Sequence, residues 1–103
     1  MILIVEDDPA LCETILAVLA LEGFKACAAP DGETGLQMIT ELRPTLVLSD
    51  IGLPGLNGYE MVAKIRQNPA TATIPVVFVT ARRGLDDMQH AVELGAVGWL
   101  SKP

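Results

Sequence analysis

Five short apolar runs punctuate the chain, at Ile2 to Val5, Phe24 to Ala28, Val47 to Asp50, Val76 to Val79 and Val97 to Leu100. Runs this short, closed by Gly, Pro or acid, read as strands, and the third reads as one buried on both faces inside a parallel sheet. The second is less apolar and is expected at the sheet edge. Between the runs the apolar spacing becomes that of helices. Asp8-Pro9 is an N-cap with Pro at the first helical position, followed by a stripe of Leu11, Ile15, Val18 and Leu19 that Gly23 stops. Asp31 caps a second helix with Leu36, Ile39 and Leu42 inward, ended by Arg43-Pro44. Asn57-Gly58 opens a third, with Met61, Val62 and Ile65 inside and Lys64, Arg66 and Gln67 toward water, closed by Asn68-Pro69. Asp86 or Asp87 caps a fourth through Met88, Ala91, Val92 and Leu94 to Gly95.

Strand and helix thus alternate, which predicts an α/β layer structure: one parallel sheet, right-handed crossovers and helices on both faces. The 103 residues suffice for one domain with its own core, and half of them are hydrophobic. No apolar run is long enough to span a bilayer. The start lacks the basic region and small-residue cleavage site of a signal peptide, so a cytoplasmic protein without membrane contact is expected. Cys12 and Cys27 lie inside apolar patterns and read as small hydrophobes. A net charge of -6 argues against direct nucleic-acid contact by this domain.

On this scheme polar residues gather at one sheet edge: Glu6 and Asp7 after the first strand, Asp50 after the third, Thr80 after the fourth and Lys102 after the fifth. Singly, each has an ordinary explanation as a loop cap, a turn hydroxyl or a surface lysine. Jointly, they mark the edge where open α/β sheets bind ligands. Two carboxylates about 4 Å apart repel by about 4 kcal/mol at an effective dielectric of 20, and three converge here. Either a proton is shared or a hard divalent cation binds, and Mg²⁺ suits a solvent-facing cleft. With the ion present, Asp50 can attack phosphorus while Lys102 and the Thr80 hydroxyl hold the transferred oxygens.

The segments ILIVEDDP (Ile2 to Pro9), LSDIGLPGLNG (Leu48 to Gly58), Val79-Thr80-Ala81 and Leu100-Ser101-Lys102-Pro103 resemble the receiver domain of two-component response regulators. The likeness implies a flavodoxin-like, doubly wound five-stranded parallel sheet of strand order 2-1-3-4-5. It implies that Asp50 accepts a phosphoryl group from a sensor histidine kinase or a histidine phosphotransfer protein. Asp7 would then bind Mg²⁺ directly, Glu6 through water, and Gly52 through its carbonyl oxygen. Thr80 and Lys102 would hold the phosphoryl oxygens, with Lys102-Pro103 matching the family's cis peptide. A switch is implied too, in which Thr80 moves and Trp99, three residues before the lysine, reorients to signal to an output domain or downstream protein. Such a domain catalyses only its own phosphorylation and dephosphorylation.

Two glycines depart from the family pattern. Gly52 leaves no side chain to shield the acyl phosphate, and Gly55 stands where many relatives carry a larger residue, loosening the turn. Receivers also continue past the Lys-Pro pair into a fifth helix, whereas this sequence stops at Pro103 after its fifth strand. Residues 1–103 are therefore expected to form a C-terminally short receiver with apolar surface bared on the first helix and sheet, an invitation to homodimerisation or instability. His90 is expected to face solvent. Three rivals fit parts of the pattern. A haloacid dehalogenase-like phosphatase wants a second acid at position 52, which is Gly. A flavodoxin-like flavin binder would have its phosphate repelled by Glu6-Asp7-Asp8. A non-phosphorylated receiver that only docks partners needs none of the five polar positions.

Overall fold

The computed structural model describes residues 1–80, 89 and 92–101. Its strands are β1 (Ile2–Val5), β2 (Ala26–Ala29), β3 (Leu46–Ser49), β4 (Val76–Thr80) and β5 (Gly98–Ser101). The helices are α1 (Pro9–Leu21), α2 (Gly32–Leu42) and α3 (Gly58–Gln67). The strands form one parallel sheet of order β2-β1-β3-β4-β5, the expected doubly wound arrangement. The predicted fourth helix falls outside the described residues except at Gln89, Val92 and Glu93, which are helical.

Right-handed crossovers fix the layers. The chain winds one way from β1 to β2 and the other way from β2 to β3, β4 and β5, which puts α1 on one face and α2 and α3 on the other. The main core lies on the α2/α3 face, where Ile39, Met61, Val62 and Ile65 meet Leu3, Val5, Val47, Val76 and Phe78. Phe78 also meets the Tyr59 ring edge-to-face, with centroids 5.4 Å apart and planes at 79°.

The other face is thinner. On β1 all four residues are buried, but β3 and β4 alternate: Val47, Ser49, Val76 and Phe78 are buried while Leu46, Leu48, Val77 and Val79 are half-buried. The expectation of a third strand buried on both faces is corrected to this extent, because among the described residues only α1 covers that side. The α1 stripe is also shifted. Cys12 is buried, Leu11, Ile15, Leu16 and Leu19 are half-buried, and Val18 is 53% exposed. Leu42, read as inward, is 50% exposed at the end of α2.

The caps follow the sequence closely. The Asp8 carboxylate accepts from the amides of Ala10 and Leu11, with Pro9 in the first turn, and Asp31 accepts from the Thr34 amide at 2.7 Å. Asn57 and Glu60 form a reciprocal capping box on α3. At the end of α2, Arg43 adopts a left-handed conformation and its amide returns to the Ile39 carbonyl. The second strand begins two residues later than predicted, because Phe24 and Lys25 are spent leaving the turn at Gly23. Cys12 and Cys27 are free thiols.

Arg66 does not face water as predicted. It is half-buried, and its guanidinium donates to the carbonyls of Ala72, Ile74, Leu94 and Gly95 at 2.7–3.2 Å. Burial pulls its pKa below the ordinary value.

Candidate functional site

The parallel register determines which side chains meet at the carboxyl edge. Val5 is level with Ala29 on one side and Ser49 on the other, and Ser49 is level with Phe78. The residues just beyond, Glu6 and Asp50, therefore emerge together, and the Asp50 amide closes the gap by donating to the Val5 carbonyl at 3.0 Å. The main chain of Thr80 ends β4 at the same edge, opposite Ser101 of β5.

The three acids after β1 do different work. Glu6 is only 5% exposed, and its Oε2 accepts from the amides of Asp7 at 2.9 Å and Asp8 at 3.2 Å. Those bonds offset the cost of burying its charge and set the shape of the loop. Asp8 turns away to cap α1. Asp7 is left exposed beside the cluster.

Asp50 is held from its own turn. Its Oδ1 accepts from the Ile51 amide at 2.7 Å, and the Ser49 hydroxyl donates to its carbonyl at 2.8 Å. The chain then doubles back, with the amides of Leu53 and Gly58 both donating to the Ile51 carbonyl at 2.9 Å. This brings Gly58 so close that a Cβ there would collide with the Asp50 carbonyl and lie 2.9 Å from the Ile51 Cα. Gly58 thus positions the site, a role its place at a helix start did not disclose. The Asn-Gly pair was the available signal.

Oxygen atoms of Glu6, Asp7 and Asp50 all lie within 4.8 Å of one another. At that separation a pair of charges repels by about 3.5 kcal/mol for an effective dielectric of 20, less where Asp7 faces water. The donor set is all hard oxygen, two members reach solvent, and the third is already engaged by two amides. That fits a small, partly hydrated divalent cation and not a softer metal.

Gly52 is exposed in the turn after Asp50, and a Cβ there would have open space. Gly55 is left-handed, φ +66°, a conformation that side-chain-bearing residues rarely adopt, and the Glu33 carboxylate lies 2.9 Å from where its Cβ would stand. A groove of about 400 Å³ runs from Glu6 and Asp7 past Pro9, Cys12 and Glu13 to Pro30. Burial, followed by the nearby charges of Glu6 and Glu13, pushes the Cys12 thiol up and keeps it protonated at neutral pH.

Of the predicted site residues, the structure brings together Glu6, Asp7 and Asp50 and puts the main chain of Thr80 at the same edge. The main chain of Trp99 lies in β5 opposite Phe78. Lys102, its peptide bond to Pro103, and His90 lie outside the described residues.

Comparison with known proteins agrees with this geometry. A family model described as the response regulator receiver domain matches residues 2–103. The DNA-binding response regulator MtrA of Mycolicibacterium smegmatis is 40% identical over 102 residues, covering 99% of this chain and 43% of that protein. The chain spans less than half the length of the curated relatives it matches. Among solved structures, the chemotaxis protein CheY4 of Vibrio cholerae superposes with a TM-score of 0.93 at 26% identity, covering 99% of this chain and 85% of that one. The Mn²⁺-bound form of the response regulator Rcp1 does so with a TM-score of 0.89 at 32% identity, covering 99% and 80%. With its sheet order, its acid cluster and a family match over nearly its whole length, the chain belongs to the response regulator receiver domain family.

Proposed function

We propose that this receiver is an active phosphoacceptor, with Asp50 as the nucleophile and Mg²⁺ as the required ion. One observation carries the reading: carboxylates from the ends of two adjacent strands, Glu6 and Asp7 after β1 and Asp50 after β3, crowd within 4.8 Å. That a structurally similar response regulator, Rcp1, is known in a Mn²⁺-bound form supports a divalent cation as the partner of these acids. Asp7, Asp50 and the Gly52 carbonyl are assigned as direct ligands and Glu6 as a ligand through water, since its Oε2 is already committed to two amides. When bound, the ion neutralises the carboxylates and the incoming phosphoryl oxygens.

In the transfer, a carboxylate oxygen of Asp50 forms a bond to phosphorus while the P–N bond of a donor phosphohistidine breaks. The imidazole leaves with the bonding pair and takes up a proton. The Ile51 amide holds the second Asp50 oxygen, which orients the attacking one. Lys102 and the Thr80 hydroxyl are assigned to the phosphoryl oxygens, and movement of Thr80 with reorientation of Trp99 is assigned to signalling. The donor is a sensor histidine kinase or a phosphotransfer protein, and the receiver acts on an output domain or downstream protein in the cytoplasm. Open space at Gly52 argues against phosphatase turnover, because no acid stands there to protonate a leaving group.

Incubation with Mg²⁺ and acetyl phosphate, followed by intact-mass measurement, tests the reading. One added phosphoryl group is expected, absent in Asp50→Asn and absent with EDTA. No adduct at saturating Mg²⁺ would reduce the protein to a docking module, and steady release of phosphate from varied monoesters would make it a phosphatase.

A further inference from the structure

Arg66, in the last turn of α3, is bonded unlike any other side chain among the described residues. Its Nη1 donates to the Ala72 and Ile74 carbonyls at 3.0 and 2.7 Å, in the segment that enters β4. Its Nε and Nη2 donate to the Leu94 and Gly95 carbonyls at 3.1 and 3.2 Å, in the turn that enters β5. Residues 92 and 93 are helical, Leu94 and Gly95 form the turn that follows, and the Gly95 amide returns to the Val92 carbonyl. Gly95 is left-handed at φ +77°, and a Cβ on it would stand 3.3 Å from the Arg66 Nε. The turn therefore cannot slide along α3 without breaking two hydrogen bonds.

We propose that Arg66 is a positioning residue that locks the turn entering β5 to the segment entering β4, so that the main chain at residues 94–97 responds to the state of the carboxylate cluster. The coupling rests on the phosphoacceptor reading. Both strands carry residues assigned to the switch, Thr80 at the carboxyl end of β4 and Trp99 within β5, and they pair residue by residue from Val77 and Gly98 to Thr80 and Ser101. With their other ends held by one rigid fork, a shift that starts near Thr80 has to move residues 94–97 too. The Val97 amide, bonded to the Val76 carbonyl at 2.9 Å, is the first rung in that path. Lysine cannot substitute, since three donors radiating from one point do not span both segments.

Hydrogen exchange at residues 94–97, read with and without Mg²⁺ and beryllofluoride, tests this in the wild type, Arg66→Lys and Arg66→Gln. In the wild type, the ligand is expected to change exchange at these amides severalfold. In both variants, exchange there is expected to be about tenfold faster without ligand and indifferent to ligand. Acetyl phosphate is still expected to phosphorylate Asp50, and amides of β1 and β3 are expected to keep wild-type protection, which excludes global unfolding. Should Arg66→Gln fail to fold, Arg66→Lys carries the same comparison. Wild-type protection at 94–97 in the variants, or a ligand response that survives in them, overturns the proposal. A wild-type chain that binds beryllofluoride without any change at 94–97 overturns it as well. A wild-type chain that takes up no phosphoryl group removes the phosphoacceptor reading and the coupling together, and is told apart by the missing mass adduct.

Discussion

Glu6 and Asp7 are neighbours in the chain and have opposite environments. Glu6 is buried and shapes the loop through two amides, whereas Asp7 stands in water beside Asp50. Substitutions should separate the two roles. Asp7→Asn is expected to weaken Mg²⁺ binding at least about tenfold with little change in fold, read by calorimetric titration. Glu6→Ala should instead lower the unfolding midpoint as well, because the amides of Asp7 and Asp8 lose their acceptor. Gly58 makes a third case. Gly58→Ala is expected to cost about 1–3 kcal/mol in urea unfolding and to slow phosphorylation, since the new methyl group presses on the Asp50 carbonyl. The acids were legible in the sequence because strand ends followed by carboxylates are a local pattern. Gly58 and Arg66 were not, because what they touch lies 6 or more positions away and only the folded chain brings it near.

The helices were read well where the signal was a cap and less well where it was a stripe. Asp8, Asp31 and Asn57 each cap as predicted, since a cap needs only the amides two or three residues on. Val18 and Leu42 are exposed where the periodicity predicts them inward, because periodicity gives a face but not its width. Asn57→Ala should cost about 1 kcal/mol by removing half of the capping box on α3. Asp31 gives α2 a pH dependence. The Thr34 amide, followed by its side chain, lowers the Asp31 pKa below the ordinary value of 3.8. The stabilisation is complete above that ordinary value and is lost as pH falls through the lower folded value, because protonation then weakens the cap. Urea midpoints measured from pH 5 down to pH 2 should fall less steeply in Asp31→Asn than in the wild type.

At the scale of the molecule, order and direction of the strands were readable from the alternation of elements and the resemblance alone. Unequal cover of the two sheet faces was not, because a run such as Val76 to Val79 looks the same whether one face or both are filled. The asymmetry should appear in stability: Val47→Ala is expected to cost roughly 2 kcal/mol or more, and Val79→Ala about half as much. The crowded acids act on the whole fold too. An ion that binds only the folded chain stabilises it by about 2.7 kcal/mol at one hundred times its dissociation constant, so Mg²⁺ should raise the melting temperature in the wild type and scarcely in Asp50→Asn.

The outer strand β2 has a consequence of its own. It is four residues of alanine and cysteine, and Pro30 follows it directly. A stray extended peptide seeking backbone partners would find a ladder of few rungs, with small side chains to grip and an imino acid barring its extension. On that flank, growth into fibrils by strand addition is discouraged without any charged guard residue in the strand itself.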